Sequence, residues 1–264
     1  MSVRICRAKS HTVFALLAAV SAASLVGCQQ RALSLDGSDP LATGSTSPPS
    51  FTETAKLGKA WQADQADIGK GVAYASGLER IGQTEQQLAV YARLYELNPE
   101  NGKLATLYGK KLVQAGKSSQ AVPLLETAAQ SPDADWRVFS ALGSAQDQQG
   151  QFDKAQASYN RALALKPNEL TVLNNMGMSY ALQGELKEAE SVLRQAMAVN
   201  GSTKQPRIRQ NLALVVGLQG RFDEARQIAS EDLPPDQVEA NLDYLKKMLA
   251  QPNTWQQLSA GENG

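Results

Sequence analysis

Apolar residues recur along most of this chain at the three- and four-residue spacing of amphipathic helices. Within residues 170–200, Leu173, Met176 and Tyr180 mark the inner face of one such helix, and Leu193, Ala196 and Met197 that of a second. Gly184 lies between them, where a left-handed residue that is cheap only for glycine ends the first helix. The pattern then repeats. Gly82, Gly116 and Gly150 precede Gly184 at steps of 34 residues, and Gly220 follows two residues late. Ala121, Ala155 and Ala189 keep the same step, and Ala225 follows, again two residues late. So do Gly109, Gly143 and Gly177, with Ala75 one step before them and Ala213 one long step after. Small residues at one fixed step mark places where two helices cross closely, since a large side chain there would force them apart. A single hairpin of this kind cannot bury its apolar face alone, so the copies must stack into a continuous core.

A helix–turn–helix period of about 34 residues resembles the tetratricopeptide repeat family. The resemblance implies an all-α fold: a right-handed superhelical solenoid of about five tetratricopeptide repeats with a C-terminal capping helix. The repeats fall at about 68–101, 102–135, 136–169, 170–203 and 206–233. The third is nearest the family pattern, with Leu142-Gly143, Gly150, Phe152, Ala155, Tyr159, Ala162 and Pro167. Gln87 departs from it where a small residue is usual, and Gly201 where proline is usual. Residues 236–250 predict the capping helix, with Val238, Leu242, Leu245 and Leu249 on one face. Trp255 and Leu258 are expected to fold back on it, and Trp61 to plug the first repeat.

The amino-terminal stretch has another character. Residues 1–27 read as a signal peptide: Arg4, Arg7 and Lys9 precede an apolar run over 13–25 that is too short to span a membrane. The run ends in Leu25-Val26-Gly27-Cys28, which resembles the lipobox of bacterial lipoproteins. That resemblance implies cleavage before Cys28 and attachment of diacylglycerol to its sulfur, giving a membrane-bound protein. Gln29, where sorting to the inner membrane would ask for Asp, implies the periplasmic face of the outer membrane. Residues 28–55, rich in Ser, Thr, Gly and Pro, form a lipidated, flexible linker ahead of a repeat domain at 56–264.

Composition narrows the chemistry. Hydrophobic residues make up 42% and charged residues 20%, which suits a globular domain. Lys and Arg number 26, as do Asp and Glu. Losing the leader's three cations leaves a slight negative balance, against nucleic acid as a partner. Cleavage would also remove Cys6 and His11, leaving Cys28 as the sole cysteine and no histidine. His-based triads, thiol nucleophiles and ordinary zinc sites are then excluded, no enzyme activity is expected, and no cofactor or metal is implied. Gly116-Lys117-Ser118 has the end of a phosphate-binding loop, but Lys111 stands where its first glycine would be.

What remains is a binding surface. In the repeat family the first helices line a concave groove, and the contact positions share one helical face. Carried over, they are Arg137, Ser140, Ser144 and Asp147 in the third repeat. The fourth gives Thr171, Asn174, Asn175 and Met178, and the fifth Arg207, Gln210, Asn211 and Leu214. Asn175 and Asn211 resemble paired amides that hold a peptide backbone. The whole layout, closing on a tail that reads EANLDYLKKMLAQPNTWQQL, resembles the TadD lipoproteins of Flp/Tad pilus assembly. That implies a protein partner in a pilus secretion machine, its secretin pore or another component. An adaptor for cell-wall hydrolases is the alternative.

Overall fold

The computed structural model describes residues 51–202 and 205–250. The signal peptide, Cys28, linker residues 28–50, Trp255 and Leu258 lie outside the described residues. Among those described there are twelve α-helices and no strand, the all-α repeat fold expected from the 34-residue step. They fall into two compact units, 51–134 and 135–250. No described helix is long and apolar enough to cross a membrane.

The first unit holds α1 (Phe51–Gln62), α2 (Ile68–Arg80), α3 (Thr84–Leu97), α4 (Gly102–Gln114) and α5 (Ser118–Ala129). Helices α2 and α3 form one hairpin, α4 and α5 the next, and α1 leads. Helix α1 starts at Phe51, so residues 51–55, which composition assigned to the linker, are helical. Packing explains this. Thr54 is buried, lying with Leu57 close to Gly77, and Gly58 sits against the Tyr74 ring. Trp61 is 8% exposed, its ring 5.8 Å from that of Tyr74, and it joins the core of Ala75, Leu78, Tyr91 and Leu94. It closes the first hairpin from the amino-terminal side.

The second unit holds three hairpins and a closing helix. These are α6 (Trp136–Gln148) with α7 (Phe152–Leu165), α8 (Leu170–Gln183) with α9 (Leu186–Ala198), and α10 (Pro206–Leu218) with α11 (Phe222–Ala229). Helix α12 (Pro235–Leu249) buries Val238, Leu242 and Leu245, as a cap on the last hairpin requires. The two residues added before the fifth repeat follow Ser202, which is buried and donates its hydroxyl to the Met197 carbonyl at 2.7 Å.

Local signals repeat with the helices. The five hairpin glycines all have left-handed backbones, with φ between 68° at Gly150 and 86° at Gly184. A second series is Asp67, Asn101, Asp135 and Glu169, each just ahead of a first helix. Each accepts a backbone N–H of the first turn, which satisfies a donor that the helix itself leaves free. The crossings are tight. A Cβ on Gly109 would come within 2.5 Å of Leu125, on Gly143 within 2.7 Å of Tyr159, and on Gly177 within 2.7 Å of Leu193. Ala189, wholly buried, passes its carbonyl under Gly177. Ala189→Leu should therefore overpack the α8–α9 crossing and cost about 1–3 kcal/mol. Leu182→Ala, at a half-buried position, should cost less. Thermal melts that reverse this order would contradict the crossing described.

Candidate functional site

The helical period places the expected contact residues on one face of each first helix of the second unit. Residues 137, 140, 144 and 147 follow one another along α6, 171, 174–175 and 178 along α8, and 207, 210–211 and 214 along α10. Hydrogen bonds join the three faces. Asn211 donates its side-chain N–H to Asn174 Oδ1 at 2.8 Å, and Asn175 donates to Ser144 Oγ at 3.3 Å. The partner of Asn211 is thus Asn174, and the two amides singled out in the sequence each have a different neighbour. Side-chain amides keep further donors and acceptors beyond one such bond.

Toward the start of the helices, Arg137, Thr171 and Arg207 are exposed. Arg137 is engaged: it pairs with Asp135 at 2.7 Å, and its guanidinium lies 4.8 Å from the centre of the Trp136 ring. Lys166 approaches the same ring at 4.7 Å. Arg207 makes no ion pair among the described residues. Gln210, Met178 and Leu214 are half-buried beside the amides. The row therefore runs from cationic, through amide and hydroxyl, to apolar.

Two of the expected contact residues are interior. Ser140 is 6% exposed and Asp147 5%. The Asp147 carboxylate accepts from the Ser179 hydroxyl at 2.6 Å and from the Tyr159 hydroxyl at 2.7 Å. Burial pushes its pKa up to about 6, and the two hydrogen bonds only partly oppose that. Burial, with the Asp147 charge beside it, pushes the Tyr159 hydroxyl upward as well. Tyr159 also meets Ser144 at 3.2 Å, and Ser158 donates to Gln146 at 2.7 Å. The sequence held a signal for this network. The matching positions in neighbouring hairpins are Leu125 and Leu193, and a hydroxyl that replaces an aliphatic core residue needs a partner.

A second polar cluster joins the last two repeats. Arg221 reaches Glu190 at 2.6 Å, Arg194 reaches Glu224 at 2.5 Å, and Gln219 donates to Glu190 at 2.8 Å. Burial alone would raise the Glu190 carboxyl, but bonds from Arg221, Gln219 and Arg194 outweigh it and hold it at about 2. A cavity of about 260 Å³ nearby is lined by Arg194, Met197, Arg209, Leu212, Ile228 and Glu231. Its charges are already paired, Arg209 with Glu231 and Asp232. Among the described residues, no group of three His, Cys, Asp or Glu side chains could hold a metal ion.

Stacked helical hairpins with a polar row across their first helices define a repeat scaffold. A model for the tetratricopeptide repeat matches residues 168–231, and a second TPR repeat model matches 143–184. Residues 143–231 thus carry tetratricopeptide repeats, and repeats of this kind serve as scaffolds for protein–protein interaction. Bovine (Bos taurus) BBS4, a BBSome complex member, is 27% identical over 116 residues, which cover 44% of this chain and 22% of that protein. The Vi polysaccharide export protein VexE of Salmonella typhi is 27% identical over 169 residues, 63% of this chain and 24% of that one. The chain thus spans about a quarter or less of these relatives. Among solved structures, PilW, a widely conserved type IV pilus biogenesis factor, superposes with a TM-score of 0.60 at 17% identity. The match covers 75% of this chain and 90% of PilW. A thermophilic TPR protein of Thermus thermophilus gives 0.58 at 21% identity, over 67% of this chain and 97% of that one. At these identities the likeness is one of fold.

Proposed function

We propose that this protein is a lipid-anchored scaffold of the outer membrane that binds a protein segment along the shared face of its first helices. The observation that carries the binding role is the row Ser144, Asn175, Asn174 and Asn211, linked by hydrogen bonds across three consecutive repeats. Amides and hydroxyls offer both donors and acceptors, which an extended backbone needs. Anchoring by Cys28 and the linker behind it would raise the local concentration of the domain near membrane partners, so modest affinity would serve. The Flp/Tad reading rests on the sequence layout: lipobox, linker, repeats and tail. The partner in that reading is the secretin or another component of the pilus machine. PilW is itself a pilus biogenesis factor with this fold.

Two experiments test the proposal. Cys28→Ser should leave an unlipidated precursor that no longer fractionates with membranes, and unchanged membrane attachment would remove the anchor. Asn175→Ala with Asn211→Ala should weaken partner binding about tenfold, as loss of two hydrogen bonds implies, while helical content is kept. Crosslinked pulldowns from membranes, read by mass spectrometry, measure this. Recovery of cell-wall hydrolases without any secretion component would favour the hydrolase-adaptor alternative. Equal recovery by both forms would place the contact outside the amide row.

A further inference from the structure

Beneath the amide row runs a chain of hydrogen bonds that ends on a buried carboxylate. Asn175 on α8 donates to Ser144 on α6, Ser144 meets Tyr159 on α7, and Tyr159 donates to Asp147 on α6. Ser179 on α8 holds the other carboxylate oxygen and itself accepts from Gln156 on α7 at 3.1 Å. Tyr159 is the sole ionisable group within this cluster besides Asp147. Helix α8 carries no charged residue. The charged residues of α7, Asp153, Lys154 and Arg161, are exposed, with Arg161 lying over Phe139. Arg137, at the other end of α6, is paired with Asp135.

We propose that Asp147 is a positioning residue for the binding face: the presence or absence of its proton decides how firmly Ser144 holds the Asn175 amide, so partner binding responds to pH. This rests on the reading of that face as the partner site. With Asp147 ionised, Tyr159 gives its O–H to the carboxylate, so the Ser144 O–H has two acceptors at 3.2 Å, the Tyr159 oxygen and the Ser140 carbonyl; given to Tyr159, it lines up all donors one way, from Asn175 N–H through Ser144 and Tyr159 to the carboxylate. A one-directional chain that ends on an anion is cooperatively strengthened. It fixes the Asn175 Nδ2 against Ser144 and leaves Oδ1 as the acceptor for a partner's backbone N–H. When Asp147 takes up one proton from solvent at Oδ2, it must donate to Tyr159. The Tyr159 hydroxyl then turns to Ser144, which leaves the Ser144 hydroxyl only its other acceptor, the Ser140 carbonyl 3.2 Å away. Ser144 now accepts from two donors at once, the chain is no longer continuous, and the hold on Asn175 loosens. Burial sets this change near pH 6.

The test is a titration of the full-length, ¹⁵N-labelled protein from pH 5 to 8, followed at the Asn175 side-chain amide by NMR. The expected result is one step near pH 6 at Asn175, absent in Asp147→Asn. In Tyr159→Phe the step should persist at the Ser179 backbone amide and vanish at Asn175. A merely structural Tyr159 would leave the Asn175 step in place, and that result overturns the proposal. So does a wild-type Asn175 amide with no step in this range, a reading that needs no variant to fold. The titration also needs no partner, so its failure is separable from failure of the binding reading. Where the partner has been recovered, its yield should fall about threefold between pH 7.5 and pH 5.5 in wild type, and stay level in Asp147→Asn.

Discussion

Tyr159→Ala is expected to cost about 4 kcal/mol, more than overpacking the crossing at Ala189. The ring is 1% exposed and fills the crossing of α6 and α7, where Gly143 leaves no room for a Cβ. Removing it empties that space, and close-packed neighbours relax only partly into such a void. It also takes from Asp147 one of its two hydroxyl donors, which costs a buried carboxylate more than it costs a neutral group. Tyr159→Phe separates the two effects, since it keeps the ring and loses only the hydroxyl, for about 1–2 kcal/mol. Urea unfolding followed by circular dichroism measures both. Equal losses in the two variants would show that the hydroxyl, and not the ring, holds the crossing. With folding free energies of about 5–15 kcal/mol for domains of this size, the alanine variant should sit near its unfolding threshold at 37 °C.

The second large effect is a fall in stability with rising pH. The unfolded Asp147 carboxyl has its ordinary value of 3.8, and the folded one is pushed up to about 6 by burial. Between those values the folded state keeps a proton that the unfolded chain has lost. Each unit of pH upward then costs the folded state about 1.4 kcal/mol, or about 3 kcal/mol across the window. Below pH 3.8 the penalty is absent, and above about 6 it is constant. Glu190 acts with the opposite sign: its stabilisation is present above its ordinary value of 4.5 and is lost as pH falls toward about 2. From about pH 4.5 to 6 the Asp147 slope should therefore stand out. Urea midpoints measured across that range should decline in wild type and stay flat in Asp147→Asn. A decline of equal size in both would assign it to other groups.

The 34-residue ladder of small residues was legible in the sequence because its cause is steric and local. Gly109, Gly143 and Gly177 stand where no Cβ fits, and Gly184 stands where the backbone turns left-handed. The start of α1 was hidden, because Thr54, Leu57 and Gly58 are small or isolated in a polar stretch and reveal their packing only beside Gly77 and Tyr74. Across the first helices the period put the expected contact residues on one side of each helix, yet it could not tell surface from interior at Ser140 and Asp147. Asp147 shares the azimuth of the contact residues but lies where α6, α7 and α8 converge, and the partners that make its burial tolerable come from other helices. Pairing across repeats was likewise beyond reach. Whether Asn211 meets Asn174 or Asn175 depends on the stagger of α8 and α10, which the period within one helix does not fix.

Helix α12 bears on how such a chain can lengthen in evolution. Its Leu245 lies within 2.9 Å of where a Cβ on Gly217 would be, and Val238 and Leu242 are buried with it. Its other side presents Glu239, Asn241, Asp243 and Lys247 to solvent. A duplicated hairpin fused beyond this helix would meet a mostly polar side, on which Tyr244 is the one large exposed apolar residue of the helix. The same block inserted ahead of α10 would have a compatible neighbour on each side, because each hairpin offers its successor nearly the surface it received. Gene duplication can thus extend this array more readily from within than past α12.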